Sequence, residues 1–348
     1  MNLFIANFKS RKENKVKKAL KIIGILIAFI IIFFLLNRLL SPKYAETLVE
    51  GSMISQYYNE PKDHEVIFIG DCEVYANFSP LVMYEQDGIK AYVRGSSQQM
   101  IWQSYYILKE TLKYETPRVV VLNVNSMRYG KNSDKVSEAY NRLTIDNMKW
   151  SKEKIDIINE SMTEDETFIS YIFPILRYHS RYDKLTKEDF KYMFRKKNNT
   201  YNGFLVNKNI KPADAFPTKR KLASYNFDNE CYEYLDKITE LCKQNNIKLV
   251  LIKAPSLYPY WYEEYETQIR EYANKNQIDY YNLLDKKDEI RIDYAVDTYD
   301  GGLHLNLTGA TKLSKYFSRI LKEKYNLTDY TGDIIYNTKL QEYKRDIT

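Results

Sequence analysis

From Ile22 to Leu36 the chain is unbroken apolar, IIGILIAFIIIFFLL, inside a longer helical stretch from Ala19 to Leu40. At 1.5 Å of rise per residue, positions 19–40 span roughly 33 Å, enough to cross a bilayer core once Lys21 and Arg38 reach toward its two faces. The thirteen Ile, Leu and Phe residues of the block, at about −0.3 to −0.6 kcal/mol each, favour insertion by on the order of 6 kcal/mol. Lys9, Arg11, Lys12, Lys15, Lys17, Lys18 and Lys21 precede the apolar block, whereas Arg38 and Lys43 follow it. The positive-inside rule then keeps residues 1–18 in the cytoplasm and places everything beyond about residue 41 outside the cell membrane. A cleaved signal peptide is the rival reading. It wants a shorter apolar region and a small-x-small cleavage site, and NRLLSPKYAETL offers no good one. The expectation is an uncleaved, single-pass anchor at 19–40, followed by a juxtamembrane linker over 41–61.

Beyond the anchor, short apolar runs alternate with amphipathic ones. EVIFIG (65–70), IKAYVRG (89–95), RVVVLNVN (118–125), IKLVLIKAP (247–255) and IDYYNL (278–283) predict strands. Their mostly continuous apolar character marks a sheet covered on both faces. QQMIWQSYYILKETLKY (98–114), NECYEYLDKITELCKQN (229–245) and YEEYETQIREYANKN (262–276) predict helices between them. Strands alternating with helices imply a parallel α/β sheet over residues 62–327. Residues 131–225, rich in Lys, Asn, Tyr and Asp, break the alternation and are expected to be an insertion capping the sheet. The last segment, 328–348, shows no legible role.

Charge changes this picture little. Lys and Arg number 52 against 46 Asp and Glu, and much of the excess lies in the basic arm, so no stripe argues for nucleic acid. The 33 tyrosines are expected to be mostly half-buried packing residues rather than a sugar-binding groove. Cys231 and Cys242 fall on one predicted helix, about 16 Å of rise apart, too far to bridge each other. That leaves Cys72 as a single thiol whose position needs explaining.

In a parallel sheet, functional residues gather at the carboxyl ends of the strands. Here those ends are Gly70-Asp71-Cys72, Arg94-Gly95, Asn123-Val124-Asn125 and Lys253-Ala254-Pro255, and DTYDGGLHLNLTGATKL adds Asp297, Asp300 and His304 ahead of a helix opening near Thr308. A nucleophile, a glycine, an asparagine and an Asp/His pair therefore converge. Of the three histidines, His64 precedes the first strand at its amino end and His179 lies in the insertion, which leaves His304 as general base. Arg94 is expected to be an ordinary solvated arginine. Dispersed histidines without HExxH or CxxC spacing call for no metal, and no glycine-rich phosphate loop is present, so no cofactor is expected.

This order of blocks resembles the SGNH/GDSL hydrolase superfamily. The resemblance implies a flavodoxin-like α/β/α sandwich with about five parallel strands. It places the nucleophile at Cys72, the oxyanion or substrate-binding groups at Gly95, Asn125 and Asp71, and the base at His304. Asn123 is the rival to Asn125. Two departures stand out: cysteine replaces serine, and the acid lies four residues before the histidine (Asp300), with Gly301 at the usual position. Either the loop bulges or Asp297 orients the imidazole. Cys72 is then either an acyl-carrying nucleophile or an inert small residue in a site that has lost catalysis. A thioester keeps more transfer potential than an oxygen ester, which suits acyl transfer better than hydrolysis. An N-terminal anchor with an outside catalytic domain is similar to the D-alanyl transfer protein of teichoic acid modification and to polysaccharide O-acetyltransferases. That similarity implies a cell-surface glycopolymer as substrate and a membrane-bound O-acyltransferase as partner. The alternative is a non-catalytic subunit of the same fold that binds polymer or that partner.

Overall fold

The computed structural model describes residues 2–42, 50–194, 199–213 and 215–348. Residues 43–49 of the expected linker lie outside the described residues, as do the side chains of the basic arm up to residue 14. The chain forms two compact units, Met1–Lys43 with Thr167–Lys196, and Tyr44–Glu166 with Lys197–Thr348.

In the larger unit, β1 (Val66–Gly70), β2 (Ala91–Gly95), β3 (Val119–Asn123), β4 (Lys248–Lys253) and β5 (Asp279–Asn282) make one sheet. Its order is β2-β1-β3-β4-β5 and every pairing is parallel. This is the flavodoxin-like doubly wound order, with its switch point between β1 and β3.

The continuous apolar runs follow from burial on both faces. Val66, Phe68, Val119, Val121, Val250 and Ile252 pack with the helices Pro80–Asp87 and Leu307–Tyr325. Their neighbours Ile67, Ile69, Val120, Leu122, Leu249 and Leu251 point the other way, onto the helices Ile101–Thr111, Asn229–Gln244 and Glu263–Asn276. Cys231 and Cys242 sit buried and unpaired in that second layer, as packing residues.

The insertion does not act as one cap. Helices Glu138–Ile145 and Lys152–Ser161 lie against the Ile101–Thr111 helix, with Trp102 Nε1 donating to Ser161 Oγ at 3.1 Å and Gln103 Nε2 to Asn141 Oδ1 at 2.8 Å. Residues 167–196 belong to the other unit. The returning chain then runs beside β2, where Asn202 O accepts from Val93 N, and on along the loop that carries His304: Lys211 N donates to Thr298 O, and Leu307 N donates to Asn207 O at 2.7 Å.

The C-terminal segment also departs from expectation. Ile334–Ile347 is a helix capped by Asp333, which accepts from Tyr336 N, and Tyr336 and Tyr343 are fully buried in the first layer. Its apolar positions Tyr336, Leu340, Tyr343 and Ile347 recur at helical spacing and cover the Pro80–Asp87 side of the core.

The smaller unit contains the helix Asn2–Leu40, whose stretch Lys15–Leu40 is long and apolar enough to cross a membrane. With it are the short helices Phe168–Ile172, Ile175–Tyr178 and Lys187–Lys191 and a 3₁₀ turn at His179–Asp183. His179 is exposed there.

Candidate functional site at the carboxyl end of the sheet

β1 ends at Gly70, whose φ of +154° and close approach to Asn123 exclude a side chain: a Cβ here would lie 2.9 Å from Asn123 Cβ. The chain then turns through Asp71 into the helix Cys72–Asn77. Asp71 is the N-cap, with Oδ1 accepting from Glu73 N at 3.1 Å. Cys72 is the first helical residue, so its amide is among the donors that no carbonyl of the helix can satisfy. Gly95 closes in beside this turn, where a Cβ would meet Val74 at 2.6 Å and the Gly70 and Asp71 carbonyl oxygens at 3.2 Å. The tight approach explains why β2 ends in glycine.

Asp71 is the hub of the asparagine cluster rather than a group facing substrate. Asn123 Nδ2 donates to Asp71 Oδ1 at 3.0 Å and to Glu73 Oε2 at 2.8 Å, and Asn123 Oδ1 accepts from Ala254 N at 3.3 Å. Both protons and the carbonyl of Asn123 are therefore used, which makes it a structural link between β1, β3 and β4. Asn125 Nδ2 donates to Asp71 Oδ2 at 2.6 Å, and this leaves its second N–H uncommitted. Between the rivals, Asn125 is the one with a donor to spare.

The acid question resolves at the far loop. Gly301 and Gly302 both adopt left-handed backbone, with φ of +83° and +98°, which turns the loop between Asp300 and His304. Asp300 thereby reaches back: Oδ1 accepts from His304 N at 2.8 Å and Oδ2 meets His304 Nδ1 at 2.6 Å. A carboxylate only accepts, so Nδ1 carries the proton and Nε2 is left for the thiol. Nε2 has no hydrogen-bond partner of ordinary geometry among the described residues. Asp297 does not orient the imidazole. Its buried carboxylate accepts from Asp293 N at 2.8 Å and pairs with Lys312 Nζ at 2.6 Å, anchoring the start of the loop. The Tyr299 ring stacks on His304 at 5.6 Å. Asn77 ties the two halves of the site together, since its Oδ1 accepts from Leu305 N at 2.8 Å.

Cys72 and His304 face each other closely enough that each changes the other's ionisation. Burial pushes the Cys72 thiol up, Asp71 and Glu73 add to the rise, and His304 opposes it. For His304, burial works against the cation, but Cys72 and Asp300 outweigh it and hold the proton well above the ordinary range. These are two halves of one coupled equilibrium: a thiolate exists here chiefly when an imidazolium stands beside it. Alkylation of Cys72 by iodoacetamide is accordingly expected to keep rising beyond the pH, about 8.5, at which a free cysteine is half ionised. In His304→Ala the midpoint should move higher still. A midpoint below the ordinary thiol range, measured by the rate of labelling against pH, would contradict this coupling.

Other charged groups surround the site. Glu73, in the first turn of the helix after β1, and Lys253, at the end of β4, are both fully buried and pair at 3.2 Å, and Lys253 also donates to Ala254 O at 2.7 Å. Burial raises Glu73 and lowers Lys253, and the partner opposes each shift. The only sequence signal was two charges flanking apolar strands. Arg94 is not solvated: it is buried, paired with Glu110 at 2.7 Å, and stacked 3.8 Å over the Tyr57 ring. Strand alternation turns it away from the site into the second layer. His64, at the amino end of β1, is buried against Glu115 at 2.9 Å and takes no part.

The structure thus brings Cys72, Gly95, Asn125, Asp300 and His304 to the carboxyl end of a five-stranded parallel sheet, at the switch point of its doubly wound order. No family model matches the sequence, and no curated protein matches it. Among solved structures, one from Bacteroides fragilis assigned as an acylhydrolase aligns at 12% identity and TM-score 0.38, over 78% of this chain and 95% of its own. A GDSL-like lipase from Bacteroides thetaiotaomicron aligns at 12% identity and TM-score 0.36, over 79% and 99%.

Proposed function

We propose that this chain is a membrane-anchored, extracytoplasmic acyltransferase or esterase that modifies a cell-surface glycopolymer through an acyl-Cys72 intermediate. The observation that carries this reading is the set Asp300, His304 and Cys72, with Asp300 on Nδ1 at 2.6 Å and His304 and Cys72 close enough to shift each other's ionisation. The proton shared between Cys72 Sγ and His304 Nε2 rests on His304 as the thiolate sulfur attacks the acyl carbonyl. The oxyanion is held by the Cys72 and Gly95 amides and the spare Asn125 N–H, each donor lowering the barrier by about 2.7–4 kcal/mol. Collapse releases the donor's leaving group, which takes the proton from His304 and leaves a thioester. A sugar hydroxyl then loses its proton to His304 and attacks the thioester carbonyl, and the departing thiolate is reprotonated. A raised thiol suits this sequence, because the thiolate that attacks forms beside the His304 imidazolium. The acyl donor would be supplied by a membrane-bound O-acyltransferase partner.

The upward shift of the thiol also favours a second reading, a non-catalytic subunit that binds polymer or that partner. Incubating the full-length protein with an acyl thioester donor, with and without a polysaccharide acceptor, tests the two. The first reading expects ester formation on the acceptor at the expense of hydrolysis. Absence of both, together with Cys72→Ala still supporting polymer modification in cells, leaves the binding subunit.

A further inference from the structure

We infer that residues 167–194 form a platform lying in the membrane interface, wrapped against the end of the N-terminal helix with its apolar side chains at the boundary between lipid headgroups and acyl chains. The segment is built onto one turn of that helix. Ile175 N donates to Asn37 Oδ1 at 2.8 Å, Arg38 Nε donates to Met193 O at 2.8 Å, and Arg181 Nη1 donates to Leu40 O at 2.6 Å while Nη2 pairs with Asp189 at 2.9 Å. Asn37 and Arg38 end the apolar block, so a helix spanning a bilayer places this turn at the water boundary. Phe33 lies five residues earlier, roughly 7 Å deeper along the axis, and packs edge-on against Phe173 at 5.5 Å. That depth matches interfacial helices, which bury about 5–10 Å into the headgroup boundary.

Composition agrees. Leu176, Phe190 and Phe194 are 52%, 60% and 63% exposed, and Ile169, Ile172 and Tyr182 are exposed beside them. Such a patch is costly in water. The helix it packs on is exposed along its apolar residues from Ile22 to Ile32 and is covered only toward its end, where Leu40 is buried. Lys184, Lys187 and Lys191 intersperse it with the basic side chains that anchor interfacial segments to headgroups.

This inference is independent of the chemistry at Cys72. To test it, full-length protein is reconstituted in phosphatidylcholine vesicles as Phe190→Trp and, separately, Phe194→Trp, and each is read against the parent, whose Trp102, Trp150 and Trp261 belong to the other unit. Lipids brominated near the headgroup end of their chains are expected to quench the added emission several-fold more than lipids brominated near the chain ends. Negligible quenching by both at both positions overturns the platform and leaves the patch to a protein partner. Flotation with vesicles reports the anchor separately, and unchanged parent emission without bromine reports folding.

Discussion

Cys72→Ala is expected to abolish turnover of an activated acyl ester, by roughly 10³-fold or more, with the domain still folded. Cys72 is a half-buried residue at the start of a short helix. Its removal leaves the Asp71 cap, both asparagine links and the Asp300–His304 pair in place, so the lost quantity is the covalent route rather than the architecture. Cys72→Ser should recover part of an esterase activity, because the same amides and the Asn125 donor remain and His304 can still take the hydroxyl proton. The oxygen ester it forms carries less transfer potential, so water should gain against a sugar hydroxyl. Circular dichroism and the thermal midpoint of both variants should stay near those of the parent. A collapsed midpoint in Cys72→Ala would show that the residue holds the fold, and unchanged turnover would remove it from the chemistry.

Lys253→Met is expected to destabilise the larger unit by about 3–5 kcal/mol, because it strands the Glu73 carboxylate in a site from which water is excluded. Against a total of about 5–15 kcal/mol for a domain this is a large loss, and it should lower the thermal midpoint by on the order of 10 °C. The pH dependence has a definite sign. Burial already raises Glu73, and without Lys253 its folded-state value rises further above that of the unfolded chain. The variant should therefore be least impaired below the unfolded carboxylate value of about 4.3 and lose stability as pH climbs through the raised folded value. Adding Glu73→Gln should recover much of the loss, since Asn123 Nδ2 can still donate to the amide oxygen. Equal midpoints for parent and Lys253→Met across pH, by thermal melts, would contradict this account of the pair.

The parts legible in the sequence were those written in local pattern. β1, β3 and β4 are apolar without a break because both faces are covered, so strand, parallel class and carboxyl ends could all be read from consecutive residues. The rule that sites form at those ends brought forward Cys72, Gly95 and the Asn123/Asn125 alternatives, His304 remained after the other two histidines were set aside, and the resemblance supplied the roles expected of them. What escaped depended on contacts distant in sequence. The choice of Asp300 over Asp297 needed the left-handed turn at Gly301 and Gly302, and only the structure shows Asp297 spent on Lys312. The Glu73–Lys253 pair joins the helix after β1 to the end of β4, and Arg94 is buried because Glu110 and Tyr57 meet it on the second layer. The C-terminal helix was the one omission with a local signal. Tyr336, Leu340, Tyr343 and Ile347 mark a helical face behind an Asp333 cap, and their polar surroundings hid it.

The most direct measurement is the intact mass of the full-length protein after brief exposure to an acyl thioester, followed by acid quench. One added acyl group is expected, located to Cys72 by peptide mapping, absent in Cys72→Ala, slow to form in His304→Ala, and discharged on addition of a polysaccharide acceptor. No adduct in the parent, or an adduct that persists in Cys72→Ala, would contradict the acyl-Cys72 intermediate.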